Sequence, residues 1–100
     1  MRYFKLDENK KPVPCTQKEW TNWRIAMFGN PVCSIGRTEV GKTIVSTVFM
    51  GLCQDEGDIL PFETIAYDSS FDRVCYATWE EAEKGHKQKV DEVTNLITSK

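Results

Sequence analysis

The sequence predicts an α+β fold, with two helices packed on an antiparallel sheet of about five strands in the order β-α-β-β-β-β-α. Three observations lead to it. Two capping boxes, Thr16-Gln17-Lys18-Glu19 and Thr78-Trp79-Glu80-Glu81, each open a stretch with apolar residues at helical spacing. Between them, runs of β-branched and aromatic residues alternate with turn residues, as strands and hairpins require. All of this fits in 100 residues, the length of one domain with a modest core.

Tyr3-Phe4-Lys5-Leu6 reads as a short strand, residues 7–11 as a polar turn and residues 12–14 as an extended connector between prolines. In the first helix, about 17–28, Thr16 caps the N-terminus and Glu19 returns the bond. Trp20, Trp23 and Met27 form its apolar side, and Gly29-Asn30-Pro31 ends it. Two strands follow, about 33–39 and 43–52, joined by a tight turn in which Gly41 takes a positive φ. The second is apolar on both faces, with Val45 and Phe49 on one and Ile44, Val48, Met50 and Leu52 on the other. Such a strand is central and covered on both sides, in part by another subunit. Residues 53–58 read as an acidic loop, 60–67 and 73–77 as strands, and 68–72 as a turn. The last helix starts after Thr78 and carries the stripe Trp79, Ala82, His86, Val90, Val93 and Ile97.

Residues 36–43 match the phosphate-loop pattern G-x-x-x-x-G-K-[ST]. In a working loop, Lys42 reaches the β/γ oxygens and Thr43 holds Mg²⁺, at the start of a helix whose N-terminus supplies anion affinity. Here the motif runs into Thr43-Ile44-Val45-Ser46-Thr47-Val48-Phe49, with five β-branched residues, which predicts a strand instead. Asp68 is the one candidate for a second Mg²⁺ ligand. The match is therefore read as coincidental.

The net charge of −2 offers no bulk attraction for DNA, RNA or an anionic membrane. With neither a membrane-length apolar run nor a leader-like start, the expectation is a cytoplasmic protein. Cysteines 15, 33, 53 and 75 show no C-x-x-C spacing and read as free, mostly buried thiols, without a metal site. His86, the single histidine, reads as a core or edge residue on the helix stripe. Trp20 and Trp23 with Arg24 read as core packing or as a base-stacking platform. Glu63 faces solvent or bonds Arg37 or Thr47 across the sheet, and Asp55, Glu56 and Asp58 read as a solvated acidic loop.

Arg37-Thr38-Glu39-Val40-Gly41, Ser46-Thr47-Val48-Phe49-Met50-Gly51-Leu52 and Thr78-Trp79-Glu80-Glu81-Ala82-Glu83-Lys84-Gly85-His86 together resemble a family of small bacteriophage and prophage proteins. Phe62-Glu63-Thr64 and the opening Tyr3-Phe4-Lys5-Leu6-Asp7 fit the same pattern. The resemblance implies a phage accessory role, such as neutralising a host defence, and carries over no catalytic residues. The chain departs from the family pattern at Lys42, at Cys53-Gln54 and in the loop that follows.

These readings lead to an expected non-enzymatic binding protein, without cofactor, acting as a homo-oligomer. The leading expectation is sequestration of a signalling nucleotide, of cyclic-oligonucleotide or ADP-ribose type. Trp20, Trp23, Arg24, Arg37, Lys42, Thr43, Ser46 and Thr47 would build that pocket at a subunit interface. The alternative is an interaction module that inhibits a host protein, and the third is an NTP-binding protein using residues 36–43.

Overall fold

The computed structural model describes residues 1–27, 34–67 and 72–98, so Phe28, Cys33 and Asp68 lie outside the described residues. In chain order the elements are β1 (Arg2–Leu6), β2 (Pro12–Cys15), α1 (Gln17–Ala26), β3 (Ser34–Val40), β4 (Thr43–Phe49), β5 (Leu52–Cys53), β6 (Phe62–Tyr67), β7 (Asp72–Tyr76) and α2 (Trp79–Thr98). The fold is α+β, with antiparallel strands throughout.

The strands form two sheets, β2-β1-β5 and β3-β4-β6-β7, where the sequence predicts one. Two local features make the difference. Residues 12–15 carry Pro12 and Pro14 and still pair with β1, because β2 is an edge strand whose prolines need no partner on the open side. The strand predicted over 43–52 breaks at Met50-Gly51. There Gly51, at φ 72, turns the chain so that its carbonyl accepts from Phe4 N–H at 2.8 Å. A Cβ on Gly51 would stand 2.5 Å from the Phe4 carbonyl oxygen, so only glycine fits this junction.

Both helices start where the capping boxes predict. Thr16 Oγ1 accepts from Glu19 N–H at 3.1 Å and Glu19 Oε1 accepts from Thr16 N–H at 3.1 Å. At α2, Thr78 Oγ1 accepts from Glu81 N–H at 3.1 Å, while Glu81 reaches one residue further back, to Ala77 N–H at 3.3 Å. Thr16→Ala is expected to cost about 1 kcal/mol, seen as a lower urea midpoint with an unchanged slope.

The four-stranded sheet has a covered and an open face. On the covered face, α2 crosses all four strands. Val45, Thr47 and Phe49 of β4 and Phe62, Thr64 and Ala66 of β6 point toward it and are buried. Phe4, Leu6, Phe49, Phe62 and Ala82 form one core cluster, and Val45, Ala66 and Val93 form a second. The central position of β4 is as predicted. Its outer residues Ile44, Ser46 and Val48 are only half-buried, and no described element covers them.

Candidate functional site

Positions 36–43 fold as the end of β3, a two-residue turn and the first residue of β4. Gly41, the first turn residue, has φ 62, as a type II′ hairpin needs, and Val40 pairs with Thr43. No helix follows, so these residues present no ring of free N–H groups to a phosphate. Lys42 is exposed at the hairpin tip. Lys42→Ala is expected to leave the melting temperature unchanged, with or without Mg·ATP, in a thermal shift assay.

The eight residues of the predicted nucleotide pocket fall in three places. Thr43 and Thr47 are on the covered face, and Thr47 is fully buried. Arg37 and Ser46 are cross-strand neighbours on the open face, where Arg37 pairs with Glu39 at 3.2 Å. Trp20, Trp23 and Arg24 lie at the junction of the two sheets. There Trp20 Nε1 donates to the Met50 carbonyl at 3.3 Å, and Arg24 donates to the carbonyls of Phe49 at 3.3 Å and Met50 at 3.0 Å. The Trp20 ring is 5.6 Å from Tyr3 and 5.2 Å from the Arg24 guanidinium, and Trp23 meets Phe49 edge-on at 5.7 Å. These tryptophans and Arg24 tie α1, which has no fully buried residue, to the sheets.

His86 is a half-buried histidine at the edge of the core with both ring nitrogens satisfied, one of the two readings its place on the helix stripe suggests. Its Nε2 lies 2.9 Å from Thr38 Oγ1 and its Nδ1 lies 2.7 Å from Thr47 Oγ1, which in turn meets Thr64 Oγ1 at 2.5 Å. Gly36 lets the ring sit against β3, since a Cβ there would be 2.9 Å from Nε2. Burial lowers the His86 pKa below its ordinary value.

The open face is read from the strand register. One row runs Glu39, Ile44, Tyr67; the next Arg37, Ser46, Ile65, Arg73; the third Ser34, Val48, Glu63, Cys75. Ile44, Val48 and Ile65 form a central apolar strip between two ion pairs, Arg37–Glu39 and Arg73–Glu63 at 2.9 Å. Glu63 thus bonds neither Arg37 nor Thr47: Thr47 points to the other face, and a side chain on β7 lies nearer than one on β3. The Cys75 sulfur, and next the Glu63 carboxylate, raise the Arg73 pKa above its usual value.

At the end of this face, beside the acidic loop, is a cleft of about 490 Å³. Its apolar wall is Met50, Leu52, Leu60 and Pro61, and Glu56, Asp58 and Glu63 bring carboxylates to it, with Arg73 and Cys75 on the β7 side. Asp55 is paired with the N-terminal ammonium instead. Cys15, Cys53 and Cys75 are free thiols, of which Cys53 is buried and the other two only half-buried, at variance with the mostly buried thiols expected. No group of three potential metal ligands converges among the described residues. Nor is any described helix long and apolar enough to cross a membrane. Comparison with protein-family models, curated proteins and solved structures finds no match. The site therefore stands on its own geometry. Sequence reasoning missed Arg73, Cys75 and the apolar wall, because only the β6–β7 register and the Met50-Gly51 bend bring them together.

Proposed function

We propose that the protein is a non-enzymatic interaction module of phage type, acting in the host cytoplasm, that binds a host protein through the open face of its four-stranded sheet and the adjoining cleft. The observation that carries this reading is the half-buried apolar strip Ile44, Val48 and Ile65, on the face of the central strands opposite α2, which no described element covers. Half-buried apolar surface grouped in one block, with no covering element of its own, marks a contact surface. Both ion pairs on the face are internal to it, so its middle demands apolar contact from a partner. Four strands about 4.8 Å apart, five to seven residues long at ~3.4 Å each, present roughly 400 Å². A stable complex covers about 800 Å² per partner, so the partner must extend beyond the sheet, and the cleft is the adjacent concave surface.

Nucleotide sequestration is the reading supported less. Thr43 and Thr47 are turned to the core, and Arg24 is bonded to backbone carbonyls. The cleft sets three carboxylates against one guanidinium and the Met1 ammonium, which Asp55 already neutralises, the wrong balance for a phosphate.

The test is Ile65→Lys. The variant is expected to keep its fold, with stability changed by about 1 kcal/mol or less. The wild-type protein expressed in a bacterial host should co-purify with one host protein in fixed ratio, read by native mass spectrometry, and the variant should not. A folded variant that keeps the complex overturns the reading, as does a wild-type protein that holds only a nucleotide. A dimer that dissociates on dilution and is absent in Ile65→Lys would assign the face to a second copy.

A further inference from the structure

The Glu63–Arg73 pair is lopsided. The Glu63 side chain is 12% exposed and the Arg73 side chain 66%. A carboxylate largely removed from water is stabilised only by close donors. Among the described residues, Glu63 has one ionic partner, Arg73 Nε on Oε2, and that partner is held from the solvent side. A planar guanidinium arriving through the cleft meets a carboxylate already desolvated and oriented, the arrangement in which a charge-assisted bond is strongest. The rest of the cleft suits the same visitor. Met50, Leu52 and Leu60 match the methylene stem of a long basic side chain, and Glu56 and Asp58 add negative potential at the loop, where the Met1 ammonium is offset by its pairing with Asp55.

We propose that the cleft receives a basic side chain of the bound protein, arginine before lysine, with Glu63 as the anchoring carboxylate. This rests on the interaction-module reading and names the chemistry of the partner's contact segment. Arginine is preferred because its guanidinium is more weakly hydrated than an ammonium and so loses less on entering the cleft to bond Glu63 Oε1, while Arg73 keeps Oε2.

The probe is a capped nonapeptide with a central arginine flanked by leucines, titrated into the full chain and followed by amide NMR shifts. A second peptide replaces the arginine by glutamate. Saturable shifts at residues 50–63 and 73–75 with the arginine peptide only are expected. Binding should weaken about tenfold or more in Glu63→Gln and several-fold on raising salt from about 50 mM to about 500 mM. Asp58→Lys, on the exposed loop, gives a second variant independent of sheet packing and should also weaken binding. No shifts with the arginine peptide, equal shifts with both peptides, or binding indifferent to both variants overturns the proposal. The two readings fail separately. A host complex lost in Ile65→Lys but untouched in Glu63→Gln removes the role of the cleft alone. Peptide binding at Glu63 without any complex sensitive to Ile65→Lys removes the interaction-module reading and leaves the cleft a basic-group site.

Discussion

Gly85→Ala is expected to destabilise the protein by about 3 kcal/mol, although glycine-to-alanine in a helix interior ordinarily stabilises by about 1 kcal/mol. The sign reverses because the phenol end of Tyr76 packs against α2 at Gly85, and a Cβ there would collide with both Cζ and Oη. Gly85 is buried, Tyr76 packs against the main core cluster, and the contact joins the last strand to the last helix. Tyr76 is only half-buried, so its phenol end must move off the helix to admit the methyl. Urea unfolding measures the loss. The double substitution Tyr76→Ala/Gly85→Ala should recover part of it, since with the ring gone alanine regains its helix advantage. If Gly85→Ala alone is as stable as the wild type, the contact between β7 and α2 is not the one described.

Thr47→Val is expected to cost about 2 kcal/mol despite preserving shape. Thr47 Oγ1 stands between His86 Nδ1 and Thr64 Oγ1, and both threonines are fully excluded from solvent. The valine leaves two partners each short of one bond. The same chain predicts a pH dependence. Burial holds the folded-state pKa of His86 below its ordinary 6.5, so the unfolded chain takes up a proton more readily than the folded one. Stability is therefore full above about pH 6.5 and falls as the pH drops below it. Carboxylates act in a lower window. Glu19 is held down chiefly by the Thr16 N–H and Asp55 by the N-terminal ammonium, from ordinary values of 4.5 and 3.8. Unfolding between pH 5 and 7.5 thus isolates the histidine. His86→Gln should flatten the slope in that range, and an unchanged slope would place the dependence elsewhere.

The helix starts were legible because a capping box is local. Thr16 and Glu19, or Thr78 and Glu81, satisfy one another's backbone within a single turn, whatever the rest of the chain does. The phosphate-loop pattern could be set aside for an equally local reason, since the β-branched run after Lys42 favours a strand, and a strand is what forms. The division into two sheets was not legible. It depends on Gly51 meeting the Phe4 carbonyl and on edge pairing by a proline-bearing segment, both set by residues far apart in the chain.

The candidate site separates the same way. Alternation along residues 43–49 and 62–67 is enough to tell which side chains share a face, because the strand period is two. From that alone, Val45 and Phe49 oppose Ile44 and Val48, and β4 is central. Which face α2 covers, that Glu63 meets Arg73, and that the loop after Cys53 folds beside them into a cleft were decided only by the tertiary structure. The physical reason is range. Capping, turn chemistry and periodicity are set by neighbours within a few residues, whereas register, burial of charge and concavity arise from segments that meet only when the core closes.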